Sequence, residues 1–152
     1  LSPTGYGDVD RVNGGTVIAV TGYSGTPLPR KLGIAAGSRV LLDGAPEGFD
    51  LGELPAGVTV HHRAGADPYD VVLCFCPDAA RLRSRWADLH GRTTPAGALW
   101  IAWPKRAAGV PTDLNENVVR EHALAGGRVD VKVCAVDHVW SGLKNVIRKA
   151  DR

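Results

Sequence analysis

Tyr69–Lys105 reads YDVVLCFCPDAARLRSRWADLHGRTTPAGALWIAWPK, and its reading decides the fold. Asp70-Val71-Val72-Leu73-Cys74-Phe75 and Ala98-Leu99-Trp100-Ile101-Ala102-Trp103 are apolar at both alternating positions. A strand apolar on both faces is covered on both faces, which is the habit of parallel sheets sandwiched between helices. Between them, Asp78 to His90 has Leu82, Trp86 and Leu89 at spacings of four and three, the stripe of an amphipathic helix. Asp78 is placed to cap that helix and Gly91 to end it. Strand, helix and strand then close on a Trp103-Pro104-Lys105 corner. The unit predicts an open α/β sheet, whose ligands sit beyond the carboxyl ends of the strands.

Working outward from this unit, Arg39 to Leu42 and Val58 to His62 supply two earlier strands. Their connection, Asp43-Gly44-Ala45-Pro46-Glu47-Gly48-Phe49, is a turn rather than an immediate helix start, because a proline and two glycines interrupt it. Upstream, Thr26 and Pro27 predict the start of a short helix, Leu28 to Leu32, that stops at Gly33. Thr16 to Val20 could form a short edge strand or simply lie over the domain, and Thr21 to Pro27 a mobile turn. Downstream, Asp113 and Glu116 have the spacing of a capping box for a helix lined by Leu114, Val118 and Ala125 and ended by Gly126-Gly127. Val129 to Val136 and Leu143 to Arg148 predict a final antiparallel pair joined by the loop 137–142. The expectation is a Rossmann-like three-layer sandwich over 22–150, mostly parallel with an antiparallel pair at one edge, after a flexible tail at 1–21 rich in Gly, Asp, Ser and Asn. The Leu1-Ser2 start and the absence of methionine predict that the natural start has been removed or altered.

Composition narrows the function. At 152 residues the chain is long enough for one domain with a substantial core. A charged fraction of 22% and a hydrophobic fraction of 44% are ordinary for a soluble protein. A net charge of +2 and scattered basic residues argue against a nucleic-acid partner. The densest basic cluster, Arg81, Arg83 and Arg85, reads as a solvated helix face. No apolar run reaches the ~18 residues of a membrane span. Three cysteines with no visible secretory signal suit reduced thiols in the cytoplasm. Cys74 and Cys76 face the same way on one strand, but no paired-cysteine zinc spacing accompanies them, and that geometry suits a disulfide poorly. No Gly-x-Ser-x-Gly elbow marks a hydrolase, and Ser141-Gly142 beside His138 reads as a turn.

The order of elements resembles a shortened class I methyltransferase fold. YDVVLCF, the helix after it, TPAG and ALWIAW are similar to the fourth strand, helix and fifth strand of that family, and the terminal antiparallel pair is also its mark. In combination, GYSGTPLPRKLGI, GAPEGF, AWPKRAAGVPTDL and VDVKVCAVDHVWSGLK resemble the bacterial family called domain of unknown function 3052, which carries no activity to transfer. These blocks span Gly22 to Lys144. The methyltransferase resemblance implies a site for S-adenosylmethionine, held by a glycine-rich turn after the first strand and an acidic residue ending the second. Here Asp43-Gly44 echoes the turn, Ala45-Pro46 interrupts it, and the second strand ends His61-His62-Arg63. The same missing glycines count against NAD.

The candidate ligand-binding residues are therefore Asp43, Gly44, Glu47, Gly48, Trp103, Lys105, Arg106, Trp140 and Lys144. Trp103 with Lys105 and Arg106 would suit an anionic, partly planar ligand such as a nucleotide or an acyl phosphate. Trp140 would be a contact for a ligand or a protein. No catalytic residue, metal ligand or definite cofactor is assigned; Asp113 reads as a helix cap. The function expected is a methyltransferase-like scaffold that binds a small ligand or a protein partner without catalysis. The alternatives are a transferase using S-adenosylmethionine or a nucleotide, and a homodimeric interaction module whose terminal strand pair has an open edge.

Overall fold

The computed structural model describes residues 25–152; the tail expected at 1–21, the edge strand expected at Thr16–Val20 and most of the turn expected at Thr21–Pro27 lie outside the described residues. In chain order the elements are α1 (Leu28–Leu32), β1 (Arg39–Asp43), β2 (Thr59–His61), β3 (Tyr69–Phe75), α2 (Ala79–His90), β4 (Thr93–Pro104), α3 (Glu116–Ala125), β5 (Val129–Ala135) and β6 (Trp140–Val146). The strands form one sheet in the order β2-β1-β3-β4-β6-β5. The first four are parallel, β6 runs antiparallel to β4, and β5 antiparallel to β6. This is the expected α/β sheet with its antiparallel edge pair.

The two faces of the sheet are covered differently. On one face α2 and α3 bury Leu82, Trp86, Leu89, Val119 and Ala123 against Leu41, Val72, Cys74, Leu99, Ile101, Trp103 and Leu143. On the other, Val40, Leu42, Leu73, Phe75, Trp100 and Ala102 lie under α1 and the connection 44–58, which contributes Phe49, Leu51 and Leu54. Trp100 is wholly buried and its indole N–H donates to the Leu32 carbonyl at 3.1 Å, fastening α1 to the central strand. Gly33 ends α1 at φ 82°, the left-handed conformation glycine adopts without a Cβ penalty.

Several boundaries differ from expectation for local reasons. Pro27, not Thr26, is the residue before α1, and no side chain caps that end. The α3 cap is Asn115, whose Oδ1 accepts the Val118 N–H at 2.9 Å. Asp113 reaches across to another element and accepts the Ala79 N–H at 2.8 Å, closing the start of α2. The expected capping box is thus split between two helices. α3 buries Val119 and Ala123, with the expected Val118 packed beside them; the expected Leu114 is buried in the same core but precedes the helix, and Ala125 is exposed. β6 begins at Trp140, not Leu143. Asp137 Oδ1 accepts the N–H groups of Val139 and Trp140, and the Val136 N–H reaches the Trp140 carbonyl, so the turn is tight and Trp140 lies in the strand.

At the amino edge of the sheet Arg128, 1% exposed, has no carboxylate partner among the described residues. Its guanidinium donates to His90 Nδ1, the His90 carbonyl, Thr93 Oγ1 and the Asn145 carbonyl. It thereby ties the end of α2 to the beginnings of β4 and β5 and the end of β6. Burial lowers its pKa to about 10, so it stays charged.

Candidate functional site at the carboxyl edge

Strand order reverses between β1 and β3: β2 lies outside β1, and the later strands continue beyond β3. In open α/β sheets the crevice at such a reversal is where ligands bind. Here an arginine bridges it. Arg81, on the first turn of α2, sends Nη2 to Asp43 Oδ2 at 3.0 Å and Nε to the Phe75 carbonyl at 3.2 Å. One guanidinium therefore joins the last residue of β1 to the last residue of β3. Arg85, one helical turn on, holds both oxygens of Asp43, at 3.0 and 3.1 Å, and shares Asp88 with Arg92. The hydrogen bond to the Asp43 carboxylate raises the Arg85 pKa above its ordinary value.

Gly44 completes the closure. It sits at φ 74°, and a Cβ there would come within 2.6 Å of Arg81 Nη2. The missing side chain leaves room for the arginine, a need of the same kind as close approach to a ligand. Beneath the ion pair, the Cys74 thiol donates to Asp43 Oδ2 at 3.3 Å and lies 3.5 Å from the Cys76 sulfur. The neighbouring thiol first, then burial and the Asp43 carboxylate, hold the Cys74 pKa far above its ordinary range, so it stays a thiol. All three cysteines are unbridged, and no cluster of three metal-ligating side chains occurs among the described residues.

The candidate residues fall into three places. Asp43 and Gly44 are engaged by Arg81. Glu47 and Gly48 are exposed in a turn that delivers Phe49 onto Phe75, ring centroids 4.9 Å apart and edge to face. Phe75 meets Trp140 in the same manner at 5.1 Å. Phe49 and Trp140 are half-buried and Phe75 between them is buried, so the two outer rings form an aromatic ledge beside the carboxyl ends of β3 and β4 on the α1 side. Trp103 lies on the opposite face, in the core with Leu114. Lys105 is half-buried, its N–H on the Val139 carbonyl at 2.7 Å, and Arg106 is exposed. Lys144 lies four residues along β6 from Trp140, toward the amino edge.

Sequence reasoning missed Arg81, Arg85, Phe49 and Phe75. The arginines stand four apart on α2, a spacing that marks one helix face, but nothing local tells that this face looks down onto β1.

S-adenosylmethionine, the cofactor implied by the fold, does not fit these residues in the usual way. The carboxylate that ends β1 is taken by Arg81 and Arg85, and Arg81 fills the space where a Cβ on Gly44 would lie. β2 ends in His61, whose Nδ1 lies 2.6 Å from the Tyr69 hydroxyl.

No family profile matches the chain, and no curated protein does. Solved structures do. The Burkholderia thailandensis 1,6-didemethyltoxoflavin-N1-methyltransferase, with bound 1,6-didemethyltoxoflavin and S-adenosylhomocysteine, is similar at 17% identity and a TM-score of 0.53, over 78% of this chain and 73% of that one. The N-methyltransferase NodS from Bradyrhizobium japonicum is similar at 13% identity and a TM-score of 0.50, over 81% and 98%. At these identities the likeness shows the fold: a methyltransferase-like, Rossmann-like scaffold.

Proposed function

We propose that this protein is a methyltransferase-fold binding protein that does not transfer methyl groups and takes a small ligand or a protein partner at its carboxyl edge. The observation that carries this reading is the Arg81 guanidinium spanning Asp43 and the Phe75 carbonyl across the strand-order reversal. A nucleoside cofactor would have to displace two arginines from one carboxylate. Ligand contact passes instead to Phe49 and Trp140, half-buried rings packed over the buried Phe75, whose exposed parts suit a flat, partly apolar group. Membership of the domain of unknown function 3052 family belongs to this proposal, supported by the four sequence blocks. A cytoplasmic setting belongs to it too, supported by three unbridged cysteines.

A thermal-shift titration with S-adenosylmethionine, S-adenosylhomocysteine, NAD and nucleotides tests the reading. A ligand at about a hundred times its dissociation constant adds ~2.7 kcal/mol, enough to raise the midpoint by several degrees. No shift with the methyl donor or its product is expected. A shift with either overturns the closed crevice and favours the transferase alternative.

One observation favours a second reading, a homodimer through β5. Its outer edge is unpaired among the described residues, and it carries Val131 and Val133 at 52% and 42% exposure.

A further inference from the structure

Lys132 on β5 and Lys144 on β6 stand directly opposite each other in register, and Lys144 in turn stands opposite Trp100 on β4. Trp100 belongs to the α1 side of the sheet, so both lysines project from that side. Cβ atoms of residues so opposed are about 5 Å apart, and like charges there destabilise the sheet. Neither lysine forms an ion pair with a carboxylate among the described residues. The acid nearest in sequence, Asp130, lies opposite Asn145, because the register shifts between Asp130 and Lys132; it pairs with Arg120 of α3 on the other face. From α1, Lys31 donates to the Ala135 carbonyl, and it and Lys132 both bear on the Cys134 thiol, which burial keeps protonated. Trp100, the β4 neighbour, carries no charge.

Lys144 is half-buried, and burial first, then Lys132, lowers its pKa. A lysine at an open strand edge guards against mispairing, which accounts for Lys132 alone. It does not account for a second lysine facing it from the inner strand. A partly desolvated amine beside a second cation is a recognised way of making lysine nucleophilic near neutral pH.

We propose that Lys144 captures the carbonyl carbon of a small anionic aldehyde or keto acid as an imine, with Lys132 holding the anionic group. The neutral amine adds its lone pair to the carbonyl carbon, a proton moves from nitrogen to oxygen, and the carbinolamine loses water. One water leaves per imine, and nothing is oxidised or reduced. The site uses neither the arginine-bridged crevice nor the aromatic ledge, so it stands independently of the binding function proposed above.

The test treats the full chain with limiting pyridoxal 5′-phosphate near neutral pH, reduces the imines with borohydride and maps the adducts by peptide mass spectrometry. Lys144 is expected to carry several-fold more adduct than Lys105 or Lys149, with a labelling midpoint below that of an ordinary lysine. Lys132→Gln, at an exposed position, is expected to cut the Lys144 adduct and move its midpoint upward while leaving Lys105 and Lys149 unchanged. Equal labelling of the three lysines, or a Lys144 adduct indifferent to Lys132→Gln, overturns the proposal.

Discussion

Asp43 is the residue on which the carboxyl edge turns. It accepts from Arg81, Arg85 and Cys74 while only 14% of its side chain is exposed. Asp43→Asn leaves two guanidiniums facing a neutral amide. Between the limits for exposed and buried pairs, the expected loss is about 2 kcal/mol, read from urea denaturation. Arg81→Ala is expected to cost less, about 0.5–1 kcal/mol, since its side chain is 34% exposed and Arg85 still holds the carboxylate. At the amino edge, His90 accepts from Arg128 on Nδ1 and must be neutral to do so. Burial first and then Arg128 lower its folded pKa, so the unfolded chain binds the proton more readily. Stability is therefore full above the unfolded value of about 6.5 and falls as pH drops below it. His122 is shifted the same way by burial and Arg83, so both contribute to one acid limb. Thermal midpoints between roughly pH 7.5 and 5 should show this limb, and His90→Gln, which retains an acceptor, should reduce it to the His122 part.

Among the elements, the clearest lesson is the exchange of caps. Asp113-Leu114-Asn115-Glu116 carries every residue type a helix start needs, yet Asn115 caps α3 while Asp113 reaches the Ala79 N–H at the start of α2, whose own cap is Asp78, as expected. Local spacing could not separate the two, because the partner of Asp113 lies 34 residues away. Asp113→Ala is thus expected to weaken hydrogen-exchange protection in the first turn of α2, and Asn115→Ala that of α3, each at about 1 kcal/mol. The two helices meet where the Trp86 indole donates to the Gly126 carbonyl. A Cβ at Gly126 would overlap that ring, so Gly126→Ala should destabilise by about 1–3 kcal/mol, read as a lower denaturation midpoint. The α2 stripe of Leu82, Trp86 and Leu89, by contrast, was legible, since a period of 3.6 needs no distant partner.

For the whole molecule, the homodimer alternative makes its own prediction. If β5 pairs with a second copy, light scattering gives a mass that rises with concentration, and Val133→Lys returns it to the monomer; a constant monomer mass rejects the pairing. The α/β class, a core of three or four parallel strands and the terminal antiparallel pair were determined by the sequence itself; that the parallel strands number four came from the structure. Apolar runs and the positions of glycine and proline act over a few residues, and they declare strand, helix and turn wherever they occur. Tertiary structure alone decided what stands at the carboxyl edge. Asp43–Gly44 looked like the remnant of a cofactor turn, and Arg81 and Arg85 like a solvated face, until packing of α2 brought them together across 38 and 42 residues of chain. The same packing put Trp103 in the core and Phe49 against Phe75 and Trp140. An ion pair between distant residues leaves no periodicity in either segment. Only the sheet, by fixing where β1 ends relative to α2, determines that the crevice is bridged.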